Sequence, residues 1–423
     1  MLDDGSPFLW RDASPCRLAP AEEDLFIHGL AKGMNRSTQP RPSGTPAGTC
    51  RRLKVLHVGK FYPPHMGGIE THLQTLCTRL QKSVDVHVVV ASDDHSPAEE
   101  VLGGVAVSRL PTRLHLASTP VCPGMVSRIH RSSADIVHIH MPNPAAVLAY
   151  LASGYAGRLV VTYHSDTVRQ KFLGALFEPC LHAALRNSSA IIATSPDYRQ
   201  TSAVLLRYAD RCHVIPYGIT VEQFEHCDPA AVASLRERYG DRLVISVGRL
   251  VYYKGFEYLI QAMAQVQGKL LIIGDGPLRE KLRSLAASLG LGDRVIFLGE
   301  IQNQQVVPYY HASDVFALAS VARSEAFGIV QIEAMAAGLP VVNTSLDSGV
   351  PFVSRHGETG LTVPPSDPPA LAAAITQLLN DTSLRVQYGQ AARLRAKREF
   401  SVDAMTSQVL SLYHEVMAAP AKH

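Results

Sequence analysis

The chain has 423 residues, of which 46% are hydrophobic and 18% charged, and its formal net charge is only +3. So small a charge gives nucleic acid no electrostatic footprint, and no uncharged apolar run reaches the roughly 18 residues that a membrane-spanning helix needs. The length suits two domains of about 150–200 residues, each able to bury a core of its own.

Residues 1–50 are rich in Pro, Ser, Gly and Thr, as in NRSTQPRPSGTPAGTC, and show no sustained period. They read as a flexible N-terminal extension, with Met34 as an alternative start. The cysteines Cys16, Cys50, Cys77, Cys122, Cys180, Cys212 and Cys227 are scattered and odd in number, without a C-x-x-C pair. That usage fits reduced thiols, with no disulfide framework or zinc site. No charged-apolar-small signal opens the chain, so a cytoplasmic location is expected.

From Lys54 onward short Val/Ile/Leu-rich runs alternate with helical patterns. KVLHVGKF, VDVHVVVA, DIVHIHM, LVVTYHS, AIIATS and CHVIPYG read as strands, and GGIETHLQTLCTRL as a helix. Several runs are apolar at nearly every position, as strands of a parallel sheet covered on both faces are. The pattern restarts after Gly218. LVISVGRL, KLLIIGDG, RVIFLGE, DVFALAS, PVVNTS and GLTVPP read as strands; KGFEYLIQAMAQV, PLREKLRSLAASLG and FGIVQIEAMAAG read as helices. Pro277 is expected at a first helical position. SVDAMTSQVLSLYHEVM begins with a serine cap and reads as a terminal helix. The fold class is therefore α/β, with two doubly wound Rossmann-like domains, 51–216 and 217–400, facing a cleft, and a terminal helix over 401–423. Ligands of such sheets bind beyond the carboxyl ends of the strands, so the strand-to-helix loops are the places to look.

Four loops carry candidates. In GKFYPPHMGGIE, Gly67 and Gly68 let backbone N–H groups approach an anion at a helix start; G-x-G-x-x-G is absent, which disfavours a dinucleotide site, and for the pair taken alone a plain turn is the favoured reading. In YHSD, His164 can bond a sugar hydroxyl or move a proton, or simply cap its loop. No second histidine stands at helical ligand spacing, which argues against metal. In VGRLVYYKG, Arg249 can fork two oxygens of a diphosphate and Lys254 can add a mobile charge; two solvated surface cations are the alternative. In SEAFGIVQIEAMAAGLPVV, a helix is expected to start near Phe327 and Gly328, with free N–H groups that attract an anion. Glu325 stands beside that start, ready to accept from sugar hydroxyls. Glu333 lies about two turns on, able to take both hydroxyls of a ribose. Glu333 is bracketed by Ile332, Ala334, Met335 and Ala336, and a carboxylate in so apolar a setting needs partners.

Glu325, seven residues, then Glu333 resembles the E-x7-E motif of retaining glycosyltransferases with the GT-B fold, and the stretch around it resembles family 4. GGIE, VIPYGI, VGRL…KG and IIGDGP appear in register with it, so the resemblance runs from about residue 54 to the C-terminus. It implies that Arg249 and Lys254 grip the donor diphosphate and that Glu333 holds the nucleotide ribose. Glu325 would meet the donor sugar, with the backbone N–H groups of Phe327, Gly328, Ile329 and Val330 close to sugar and phosphate. Gly67 and Gly68 would close over the diphosphate, Gly276 would belong to the donor site, and His164 would lie beside the C6 region of the sugar. The terminal helix would cross back onto the first domain. Tyr217 and Thr220 depart from the Asn and Asp more usual at the junction, and neither is expected to touch the chemistry.

The implied reaction moves a hexose, mannose first, from a nucleotide-diphosphate sugar (GDP-mannose, with a UDP-hexose next) to a hydroxyl of a glycan or lipid-linked acceptor. It serves polysaccharide or cell-envelope synthesis. Retention of configuration follows from the resemblance alone. No D-x-D occurs in the chain, so no divalent metal and no cofactor is expected, the two cations standing in its place. The helical pattern RQKFLGALFEPCLHAALRNSS has basic ends and raises peripheral contact with the inner face of a membrane, against its reading as a buried helix. A sugar-nucleotide epimerase of the same two-domain plan and a non-catalytic sugar-nucleotide-binding protein are the competing functions.

Overall fold

The computed structural model describes residues 51–420, apart from positions 66, 93–96, 117–118 and 166–170. The extension over 1–50, with Met34, and Asp166 of YHSD lie outside the described residues. So do the first residues of the basic-ended helical pattern.

Sixteen strands are described. The first sheet is built from β1 (Lys54–Val58), β2 (Asp85–Ser92), β3 (Ala98–Leu102), β4 (Val105–Pro111), β7 (Ile136–Met141), β8 (Arg158–Tyr163), β9 (Ala190–Ala193) and β10 (Cys212–Val214); β5 (Leu114–Leu116) and β6 (Thr119–Val121) form a separate small hairpin. The spatial order is β10-β9-β8-β7-β1-β2-β4-β3. Every neighbour pair is parallel except β3 with β4. β7, β8 and β9 are buried at nearly every position because helices cover both faces, which is why their sequence shows no alternation.

The second sheet holds β11 (Leu243–Val247), β12 (Lys269–Ile273), β13 (Val295–Gly299), β14 (Val315–Ala317), β15 (Val341–Thr344) and β16 (Gly360–Val363), in the order β13-β12-β11-β14-β15-β16 and all parallel. Counted from its own first strand this is three-two-one-four-five-six, the doubly wound order whose reversal lies between the first and fourth strands. In the first sheet the same reversal falls between β1 and β7. The loops after β11 and β14 therefore open side by side at the switch point, and these are the loops that carry Arg249, Lys254 and Glu325.

Several elements differ from the sequence reading. The β3–β4 hairpin was not expected: its two-residue turn, Gly103–Gly104, has φ of 57° and 83°, which the mirror-image hairpin turn requires. The helix after β12 begins at Arg279, two residues beyond Pro277. The helix in the Glu325 segment begins at Val330 and is only seven residues long. Helices Pro368–Asn380 and Thr382–Glu399 follow β16 without having been assigned. The second is polar nearly all round, so no apolar stripe marks it.

The chain passes between the sheets in two places that touch. Going out, Ile219 N–H donates to Phe400 O at 2.9 Å; coming back, Val402 N–H donates to Ile219 O at 2.8 Å. A Cβ on Gly218 would sit 2.5 Å from the Ser401 carbonyl oxygen, so only glycine lets the two segments meet. The terminal helix Val402–Ala418 starts where the Ser401 side chain accepts from Ala404 N–H. It then buries Met405, Val409, Leu412, Tyr413 and Val416 against Val55, Leu76, Leu80, Ile136 and Val160 of the first sheet and its first helix, Gly68–Leu80. No helix among the described residues is long and apolar enough to cross a membrane.

Candidate active site

The loop after β11 is shaped by two glycines. Gly248 lies at φ 153° and Gly255 at φ 65°. A Cβ on Gly255 would also strike the carbonyl oxygen of Ala319, just after β14. That close approach lets Val321 N–H donate to Tyr253 O at 2.8 Å, and it locks the loops after β11 and β14 together. Between the two glycines a single turn, Tyr252–Lys254, aims Lys254 across the gap.

Lys254 Nζ lies 2.5 Å from Glu325 Oε2, with both side chains only about one-tenth exposed (11% and 10%). Ser320 Oγ donates to the same carboxylate oxygen at 3.2 Å. An ion pair so withdrawn from water is weakly screened, so removing one partner strands the other. Arg249 is exposed and makes no ion pair among the described residues. It belongs to the same constellation, because Tyr253 feels Lys254, Glu325 and Arg249 together. Burial pushes the Tyr253 phenol up, the two cations pull it down and Glu325 pushes it up again. Arg249, Tyr252, Tyr253, Pro277, Leu278 and Ser324 line a cleft of about 440 Å³.

Glu333 accepts from the Tyr310 hydroxyl at 2.8 Å. Burial raises its carboxyl above the usual range; the Tyr310 bond and the charge of Lys254 oppose the shift. The need for a partner is thus met by Tyr310, and Lys254 lies close enough to be felt by both glutamates. Upstream of the short helix, no N–H of Phe327, Gly328 or Ile329 finds an acceptor among the described residues. Gly328, at φ 74°, turns the chain there, and Val330 is the first helical residue. The loop just before Glu325 is pinned to the first lobe as well: Arg323 stacks on Tyr198 at 5.6 Å and donates to Thr201 O at 3.3 Å, both on the helix Pro196–Thr201.

The other candidates are placed differently. Gly276 packs under Leu250, where a side chain would collide with backbone, and so serves loop contact. Gly67 and Gly68 open the helix after β1, with Gly68 facing open space. His164 follows β8 on the first sheet and is 1% exposed. Its Nε2 lies 3.1 Å from His140 Nδ1 and its Nδ1 lies 2.5 Å from the Tyr217 hydroxyl. Tyr217, expected to stand clear of the chemistry, is therefore bonded to a candidate residue, and its ring meets Phe327 edge-on at 4.9 Å. The partner residues Ser320 and Tyr310 had no motif to announce them, and Tyr217 stood in VIPYGI without being expected at the site. His138 and His140 did carry a signal: two residues apart on a strand, they share a face.

Residues 66–223 match the model of Glycosyltransferase Family 4, and residues 229–395 match that of Glycosyl transferases group 1. The D-rhamnosyltransferase WbpZ of Pseudomonas aeruginosa is 34% identical over 353 residues, covering 82% of this chain and 92% of that protein. This chain is a family 4 glycosyltransferase. The O-antigen chain mannosyltransferase C of Escherichia coli is 31% identical over 367 residues, covering 85% and 98% of the two chains. Among solved structures, sucrose-phosphate synthase of Thermosynechococcus elongatus superposes with a TM-score of 0.73 at 26% identity, covering 87% of this chain and all of that one. Anabaena HepE in complex with UDP superposes at 0.72 with 23% identity, covering 86% of this chain and all of that one, which supports the GT-B fold. Family membership decides for transfer over the epimerase reading. In this family 4 enzyme Arg249, Lys254 and Glu325 lie on the loops where the second sheet reverses its order, and the three N–H groups without an acceptor among the described residues follow Glu325 in the chain.

Proposed function

We propose that this glycosyltransferase moves mannose, with retention and without a divalent metal, from GDP-mannose to a hydroxyl of a glycan or lipid-linked acceptor in cell-envelope polysaccharide synthesis. The observation that carries the reading is the Lys254–Glu325 pair at the switch point, with Arg249 beside it and three unpaired amides next in the chain. The rhamnosyl and mannosyl relatives favour this sugar class over a UDP-hexose.

Breaking the bond from the anomeric carbon to the diphosphate separates charge. The leaving anion is met by the Arg249 guanidinium, the Lys254 ammonium already held on Glu325, and the N–H groups of residues 327–329. With the donor bound, Lys254 would share its charge between Glu325 and phosphate, and Glu325 would accept from sugar hydroxyls. Glu333 would accept from the ribose, its second oxygen already held by Tyr310. No carboxylate is assigned as a covalent nucleophile. The acceptor hydroxyl enters on the face the diphosphate leaves, and its proton passes to a phosphate oxygen. Two cations and no D-x-D motif support independence from metal.

The test is thermal-shift screening of the purified chain against nucleotide sugars, followed by donor hydrolysis with and without EDTA. GDP-mannose should stabilise most and hydrolysis should survive the chelator. Silence toward every nucleotide sugar would overturn the proposal. Peripheral membrane contact is tested by flotation with anionic liposomes.

A further inference from the structure

His164 has no nitrogen to spare for a substrate, since His140 and Tyr217 take one each. The bonds continue inward. His140 Nε2 lies 3.1 Å from His57 Nδ1, and His57 Nε2 lies 3.3 Å from the Tyr413 hydroxyl. Tyr413 reaches His138 Nδ1 at 2.6 Å, and His138 Nε2 reaches Thr162 Oγ1 at 2.7 Å. Seven buried side chains thus form one line: Tyr217, His164, His140, His57, Tyr413, His138 and Thr162.

Histidines 57, 138 and 140, and histidines 72, 140 and 164, are grouped closely enough for their nitrogens to be weighed as metal ligands. The ring geometry argues otherwise. The centroids of His140 and His164 are 5.3 Å apart and those of His57 and His140 are 5.4 Å apart. Each separation exceeds the 3.1 Å nitrogen distance by about two ring radii. The rings therefore lie end to end, with nitrogen aimed at nitrogen. A shared metal needs lone pairs that converge on a point off that line.

Burial keeps these imidazoles neutral. A neutral imidazole donates from one nitrogen and accepts at the other, so each ring hands its direction to the next. Two patterns satisfy every link and also give the Tyr413 hydroxyl proton an acceptor in the line. In one, Tyr217 donates to His164 and all four histidines carry their proton on Nε2, ending in a bond donated to Thr162. In the other, Thr162 donates to His138, all four carry the proton on Nδ1, and His164 donates to Tyr217. A change of sense among His164, His140 and His57 sets two donors or two lone pairs against each other, and a change at Tyr413 leaves its buried hydroxyl proton without an acceptor in the line.

The two tyrosines of this line are informative. Tyr217 sits on the outgoing crossover between the sheets, and Tyr413 on the terminal helix that makes the return. Tyr217 also stacks on His164, with ring planes 10° apart, and packs on Phe327 at the head of the unpaired amides. We propose that Tyr217 is a positioning residue, and that the line from Tyr217 to Thr162 is a single hydrogen-bond wire with two collective proton patterns, joining the two crossovers and holding the Phe327 segment in place for the donor. The last clause rests on the function proposed above; the wire itself does not.

The experiment is nitrogen-15 NMR of the full chain labelled at histidine, without ligand, reading the tautomer of each ring from its two-bond proton couplings. His57, His138, His140 and His164 should all be protonated at the same nitrogen. One ring of opposite tautomer, one doubly protonated ring at neutral pH, or about one zinc per purified chain by elemental analysis would overturn the wire. Tyr413→Phe, remote from the donor loops, should shift the His164 nitrogens and lower kcat severalfold; unmoved His164 resonances in that variant would also overturn it. Tyr217→Phe should lower kcat about tenfold with little change in Tm, and wild-type kcat and KM would remove the positioning role. Should a variant fail to fold, the wild-type tautomers still decide. They are read without turnover, so failure of the proposed reaction leaves this result standing.

Discussion

Among the buried histidines of the first lobe are five, at 57, 72, 138, 140 and 164, whose pKa burial lowers, for His57 and His72 to about 3. The sign follows from linkage. A histidine whose folded pKa lies below its unfolded value contributes stability that is fully present above about pH 6.5 and is lost as the pH falls, because only the unfolded chain takes the proton. At pH 5.5 an unfolded histidine is about nine-tenths protonated, which favours unfolding by ~1.4 kcal/mol for each ring that stays neutral in the fold. Five such rings amount to about 7 kcal/mol, half or more of a typical domain's stability of roughly 5–15 kcal/mol. Nearly all exposed carboxylates are still ionised at that pH, and the raised Glu333 opposes the loss only slightly. Urea unfolding at pH 7.5, 6.5 and 5.5 should show stability falling steeply over the last unit, with four to five protons taken up on unfolding, ~4–5 by the slope. His72→Leu, which removes a ring whose Nδ1 has no hydrogen-bond partner among the described residues, should reduce the uptake by about one proton. A change below about 2 kcal/mol between pH 7.5 and 5.5 would refute the reasoning, since it would mean that the rings accept protons inside the fold.

Other predictions concern the donor loops. Arg249→Ala and Lys254→Ala should each lower kcat by about 10²-fold or more, as loss of one fixed anion-stabilising group does, with circular dichroism unchanged. Of the two, Lys254→Ala should also lower Tm, because Glu325 would be left buried without its counter-ion; full activity in both variants would discard the diphosphate assignment. Donor affinity should weaken as the pH falls through the raised pKa of Glu333, at a higher pH than an ordinary carboxylate would cause, and Glu333→Gln should flatten that limb in a titration of donor binding. Gly255→Ala should destabilise by about 1–3 kcal/mol in urea, since the residue combines positive φ with contact on the Ala319 carbonyl.

Most of the fold was legible because buried parallel strands need a continuous apolar run whatever their neighbours. KLLII, LVISV and AIIA announce themselves for that reason. The donor candidates were legible because Arg249, Lys254, Glu325 and Glu333 sit at strand ends and helix starts, positions that sequence can locate. Helix Thr382–Glu399 was not legible, because it is polar nearly all round and is defined by what it packs on; its Arg395 is buried, stacked on Phe352 and Phe400 and bonded to the carbonyl oxygens of residues 352 and 353. Nor was the edge hairpin, although Gly103–Gly104 marked its turn.

What the sequence determined by itself was local: the period of each element, the loops that follow the strands and the types of charge they carry. Side-chain pairing between distant segments belongs to the tertiary structure alone. Tyr217 and His164 are 53 residues apart, and Tyr413 and His57 are 356 apart. No local pattern constrains such partners, because they meet only after β1, β7 and β8 have aligned and the terminal helix has closed over them. Their hydrogen bonds are a consequence of that packing, which is why a tyrosine that looked incidental in the sequence stands bonded to His164 in the fold.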